Sequence, residues 1–247
     1  MSRYFLELAY MGTRYSGFQV QENAMTVQSE VERALAVYLR GRVGLTGSSR
    51  TDAGVHAHQN FFHFDWEGEI PERFLYNMNA ILPGDIVLKG LYPVPEDAHC
   101  RFQATGREYS YRIHRAKDPF LADRAWYFPY KIDLEAMRAA AELVVGRHDF
   151  AAFSKRNTQV RTTFCTVERS EWLERDFGWE YQVEGNRFLR GMVRGLVGTM
   201  VKVGRGRIGV GDFREVLLGG DQAKADFSAP AHGLFLARVR YPEGFPG

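Results

Sequence analysis

The order of secondary-structure signals constrains this chain more than any other feature, because the same run occurs twice. Residues 3–9 alternate Tyr4, Leu6 and Leu8 against Phe5, Glu7 and Ala9, the period-two pattern of a half-buried strand. A helix follows Thr26, an N-cap residue type. Its apolar positions Val27, Val31, Ala34, Leu35 and Tyr38 fall at helical spacing, and Gly41 is the expected stop. A short strand over 43–46, a strand over 55–65, a helix opened by Pro71 and running to 81, and a strand over 85–92 complete the order β-α-β-β-α-β. The second run has a strand over 107–115, a helix capped by Asp133 and ended by Gly146, and paired strands over 163–173 and 179–184. A helix over 189–203, an extra short helix over 212–218 and a last strand over 233–241 finish it.

Each run is a split βαβ unit. Two of them predict an α+β fold of two ferredoxin-like halves with mostly antiparallel sheets, joined side by side, and helices on the outer face. The boundary is expected in the loop over 93–104, giving halves of 1–97 and 98–247. The repeat is one of topology, without a clear residue-level repeat.

Composition narrows the class. The 247 residues suit one large or two small domains. With 45% hydrophobic and 25% charged residues, the chain is neither disordered nor fibrous. No stretch approaches the roughly 18 apolar residues of a membrane span; the richest, 192–203, is cut by Arg194 and Lys202. Glu7 falls where a signal peptide needs its apolar core, so a cytoplasmic protein with no membrane partner is expected. Two cysteines, Cys100 and Cys165, are too few for a disulfide scaffold or a four-cysteine zinc site. Net charge is +2, but its distribution says more. Between 185 and 211 stand Arg187, Arg190, Arg194, Lys202, Arg205 and Arg207, with no acidic residue. Such a one-signed stretch suits a nucleic-acid backbone, and it also reads as a solvated helix face.

The segment Gly47-Ser-Ser-Arg50-Thr51-Asp52-Ala-Gly-Val-His56-Ala-His58 carries the densest chemistry. An Asp in a glycine-rich loop is commonly a turn former. The functional reading is a carboxylate at a strand edge, kept ionised by Arg50 and able to act as nucleophile or base. His56, His58 and His63 raise a metallohydrolase reading. However, His63 has the opposite strand parity, and neither a His-Glu-x-x-His string nor a cysteine pair supports it, so no metal is expected. No dinucleotide or phosphate-loop motif follows a strand, so no nucleotide cofactor is expected. Tyr109 and Tyr111 share one strand face, as core packing or as a stacking platform for a base. Arg187, Arg190 and Arg194 have helical spacing, as solvated charge or as a phosphate-contacting ridge.

Taken together, these residues resemble the bacterial tRNA pseudouridine synthases of the TruA type. The resemblance covers Tyr10-Met-Gly-Thr-Arg-Tyr15-Ser-Gly-Phe18-Gln19, Thr26-Val-Gln28, Arg50-Thr-Asp52-Ala-Gly-Val-His56 and Met78-Asn-Ala-Ile-Leu-Pro83. It continues through Asp97-Ala-His-Cys-Arg101-Phe102, Ala104-Thr-Gly-Arg-Glu-Tyr109-Ser-Tyr111, Asp149-Phe150 with Phe153, Met192-Val-Arg194 and Gly233-Leu234. The Arg-Thr-Asp-Ala-Gly-Val-His string is its most specific part. The chain departs from the family pattern at Met11, Phe18, Arg190, Gly191 and Gly195, positions that bear on RNA contact.

The resemblance implies isomerisation of uridine to pseudouridine in the tRNA anticodon stem-loop, around positions 38 to 40 in tRNA numbering, without a cofactor and by flipping the base out. It implies a homodimer. By residue, it makes Asp52 the catalytic aspartate, Tyr109 the aromatic against the target base, Arg194 the partner of the aspartate, Arg50 a holder of the flipped nucleotide and Leu234 a pocket wall. The remaining basic residues, Arg187, Arg190, Lys202, Arg205 and Arg207, become candidate RNA contacts. The competing reading is a non-catalytic RNA-binding module of the RRM kind, which lacks its aromatic RNP string here.

Overall fold

The computed structural model describes residues 1–155 and 161–246. In chain order the elements are β1 (Ser2–Tyr10), α1 (Val27–Leu39), β2 (Thr46–Gly47), β3 (His56–Trp66), α2 (Phe74–Ile81) and β4 (Ile86–Val94). Then come β5 (Gly106–His114), β6 (Trp126–Tyr127), α3 (Leu134–Glu142), β7 (Gly146–Asp149), β8 (Phe164–Arg175), β9 (Gly178–Gly185), α4 (Met192–Gly204), α5 (Val210–Gly219) and β10 (Leu234–Arg240). The α+β class and the mostly antiparallel pairing expected from the sequence are both observed.

The chain divides into two compact units. The first holds Met1–Thr105 and Leu236–Gly247, the second Gly106–Phe235. In the first, β3 and β4 flank β1 in antiparallel register, and β2 pairs with β3 through Thr46↔His63 and Gly47↔Phe62. β3 also neighbours β10, whose residues from Leu236 on belong to this unit. The core is strongly aromatic: Phe5, Phe18, Phe62, Phe64 and Phe74 are fully buried. α1 starts where expected, because Thr26 and Ser29 each accept the other's backbone N–H in a capping box. Its left-handed end residue is Arg40 rather than Gly41.

In the second unit the order is β5-β9-β8-β7, with β6 parallel to β5. α3 packs against α4, α5 and β8. Tyr111, Trp172, Tyr181, Phe150, Phe153 and Phe213 fill its core. Asp133 caps α3 by accepting Ala136 N–H at 3.0 Å. β6 and β7 were not expected from the sequence. They are two and four residues long, too short to display a period. The sequence also starts α4 too early. Gly191 sits at φ 76, a left-handed conformation that a helix interior does not use, so α4 begins at Met192. Arg187 and Arg190 therefore precede the helix and do not form a helical ridge with Arg194. Among the described residues no helix is long and apolar enough to cross a membrane.

Candidate active site

Asp52 lies on the loop over 48–55, whose two arms are β2 and β3. That loop is tied down along its whole length. Ser48 N–H donates to the Phe61 carbonyl at 2.8 Å. Asn60, fully buried, donates from Nδ2 to the Ser49 carbonyl at 2.8 Å and lies 3.3 Å from the Tyr10 hydroxyl. The Tyr10 and Thr51 hydroxyls are hydrogen-bonded at 2.8 Å. The Thr51 carbonyl accepts Phe18 N–H at 3.1 Å, and Gly54 N–H reaches the Tyr15 carbonyl at 3.3 Å. Across the loop base, Gly12 N–H donates to His56 Nδ1 at 2.9 Å. A side chain is excluded at Gly12, since a Cβ there would lie 2.0 Å from the Val55 carbonyl oxygen. The result is a half-buried carboxylate between buried Thr51 and exposed Ala53, with Arg50 exposed to solvent.

The 10–18 segment that clamps this loop is itself anchored. Tyr15 donates its hydroxyl to Asp85 at 2.6 Å, and Met11 N–H bonds the Asp85 carbonyl at 2.9 Å. Burial, then the bond to Asp85, raises the Tyr15 hydroxyl far above its ordinary value, so it stays a neutral donor. Phe18 stacks on Phe62 at 4.6 Å, so its departure from the family pattern is a matter of core packing. The histidines of β3 do not gather into one site. His56 is buried and accepts Gly12 N–H, His58 is exposed, and His63 lies with His99 and Cys100.

The other implied site residues belong to the second unit. Tyr109 is half-buried on β5, with Phe188 set edge-on at 5.0 Å. Tyr111, two residues on, is fully buried and donates to the Pro230 carbonyl at 2.8 Å. Burial raises its hydroxyl strongly, against an opposing pull from Arg194, so it is a packing and anchoring phenol rather than a proton carrier. Arg194, near the start of α4, is half-buried and donates Nε to the Ala229 carbonyl at 2.6 Å. Its charge is felt at Tyr111 and at His232, whose ring is held below its ordinary value first by burial. Leu234, 7% exposed, opens β10 just beyond. Arg194, Tyr111 and the segment 229–234 thus share one neighbourhood.

Residues 140–242 match the family of tRNA pseudouridine synthases. Three relatives named tRNA pseudouridine synthase A are similar over nearly the whole chain. Those of Parabacteroides distasonis and Porphyromonas gingivalis are 43% identical over 98% of this chain, covering 97% and 98% of their own lengths. That of Staphylococcus aureus is 38% identical over 98% of this chain and 91% of its own. The chain belongs to the tRNA pseudouridine synthase family.

The basic residues singled out in the sequence fall into two groups. Arg187 and Arg190 stand on the approach to α4, half-buried and exposed respectively. Lys202, Arg205 and Arg207 stand at its far end. There Lys202 pairs with Asp226 at 3.3 Å, and Arg205 lies over the Tyr130 ring at 4.5 Å and near that of Phe128 at 5.9 Å. With Trp126 and Ser228 these residues line a cleft of about 260 Å³. Sequence reasoning missed the aromatic side of this cleft. It also missed Asn60, whose one signal is a carboxamide standing directly before the apolar run Phe61-Phe62.

Proposed function

We propose that this chain isomerises uridine to pseudouridine in the anticodon stem-loop of tRNA, around positions 38 to 40, and works in the cytoplasm as a homodimer. One observation carries the reading. In a chain with full-length synthase relatives, the aspartate of the most specific motif sits half-exposed on a loop fixed by buried hydrogen bonds.

The reaction breaks the N1–C1′ bond and forms C5–C1′. The C5 hydrogen leaves as a proton and N1 gains one, so atoms and oxidation state balance. Its demands are a flipped nucleotide, an ionised carboxylate and a wall that keeps the detached uracil in place. Flipping costs about a few kcal/mol, which cationic contacts offset. Asp52 is the reacting carboxylate. Tyr109, held edge-on by Phe188, is the aromatic wall. Arg194 is the cationic partner that the family resemblance gives this aspartate. Arg50, exposed to solvent, is the residue for holding the extruded nucleotide in this reading, and Leu234, 7% exposed, the apolar lining.

Arg187, Arg190, Lys202, Arg205 and Arg207 add salt-sensitive contacts to the RNA. The exposed Tyr130 ring beside Arg205 suits an unpaired base. The test is release of tritium to water from tRNA labelled at C5 of uridine. Release that disappears in Asp52→Asn supports the reading; tRNA binding without release overturns it. Homodimerisation is checked by light scattering, where a mass near the single-chain 28.2 kDa contradicts it.

A further inference from the structure

The first unit contains a group of soft donors that the reaction above does not use. His63 on β3, with His99 and Cys100 in the turn after β4, each bring one ligating atom within 4.8 Å of the other two. His63 Nδ1 lies 3.2 Å from Cys100 Sγ, and the His63 and His99 rings meet edge-on at 4.6 Å. We propose that these three residues bind a single zinc-type divalent ion at the base of the Asp52 loop.

The donor set suits such an ion. Two imidazoles and a thiolate are common tetrahedral zinc ligands, with bonds of about 2.0–2.3 Å, so the three donors need close by only about an ångström. The donors are hydrogen-bonded now, and an ion would replace those bonds. The Cys100 thiol donates to the Thr46 carbonyl at 3.2 Å, and His63 Nδ1 takes Cys100 N–H at 3.4 Å. The neighbouring Arg3 charge is neutralised by Asp65 through two bonds of 2.7 Å. Access is short, since Phe102 stacks over His99 at 4.1 Å and is itself 76% exposed.

The consequence is mechanical. His63 stands on β3, paired with Thr46 of β2, so the ion would tie that arm of the Asp52 loop to the turn after β4. The three histidines of β3 could not reveal this site from sequence, because its thiol comes 37 residues after His63.

The proposal stands apart from the reaction, and its test does not use turnover. The full chain, reduced, is equilibrated with zinc or cobalt(II) and dialysed against metal-free buffer. One ion per chain is expected, with tetrahedral cobalt bands and a thiolate-to-cobalt charge-transfer band. Zinc should raise the melting temperature of the parent chain and leave that of Cys100→Ala unchanged. No retained ion, cobalt bound without the thiolate band, or the band persisting in Cys100→Ala each overturns it. Should Cys100→Ala fail to fold by circular dichroism, His99→Gln, altered at a half-exposed residue, takes its place. Asp52→Asn keeps the band, which separates this proposal from the one above.

Discussion

The two units hold their functional side chains in opposite ways. Asp52 is short, and its carboxylate goes where the backbone of its loop goes. The first unit therefore fixes that backbone, through Tyr10, Asn60 and the carbonyls of Ser49 and Thr51. Arg194 is long, with many rotamers to lose, and the second unit fixes it at the guanidinium, by one 2.6 Å bond to the Ala229 carbonyl. A short reacting group calls for a rigid loop. A long charged one needs only a helix to start from and an acceptor near its tip.

This contrast can be broken experimentally. Asp52→Asn should lower tritium release by at least about a thousandfold while tRNA affinity changes little, since a lone essential group carries the chemistry; a weakened affinity in filter binding would assign it a binding role instead. Gly12→Ala should cost about a hundredfold in turnover with Asp52 intact, because the new Cβ must displace the Val55 carbonyl and with it the loop base. Unchanged single-turnover rates in that variant would mean that the clamp is dispensable.

Asn60→Ala strands the buried Ser49 carbonyl, at about 1–3 kcal/mol. At about 2–4 °C per kcal/mol for a chain of this size, calorimetry should register a lower melting temperature. Arg194→Lys keeps the charge but loses the Nε donor to the Ala229 carbonyl, and should slow turnover about tenfold with a modest fall in melting temperature.

The smallest effect lies in the second unit's acid stability. Burial would raise the Glu180 carboxyl, but hydrogen bonds from Ser110, Arg175 and Gln182 hold it below its ordinary 4.5. A carboxyl depressed on folding stabilises above its unfolded value, and that contribution drains as pH falls through the folded one. Urea titrations at neutral and acid pH should therefore show Glu180→Gln losing its disadvantage as the solution is acidified.

How much of this was legible in the sequence follows from range. α1 could be read because its cap and apolar stripe lie within one stretch, from Thr26 to Tyr38. The Asp52 string could be read because its chemistry is contiguous. The start of α4 could not, since apolar spacing continues back through Leu189 while Gly191 silently breaks the helix. β6 and β7 exist only as partners of β5 and β8. The clamp was hidden for the same reason: Asn60 meets Tyr10 across 50 residues, and Tyr15 meets Asp85 across 70.

The placement of β10 bears on how the chain is made. The first unit is interrupted at Thr105 and resumes at Leu236, and Thr105 N–H is bonded to the Arg240 carbonyl at 2.8 Å. The second unit is therefore complete in the nascent chain before the first has its last strand. Although Asp52 is translated early, the unit that carries it is finished last, and a chain truncated short of residue 236 would hold every residue of the arginine-bearing unit while the aspartate-bearing unit still lacked its last strand.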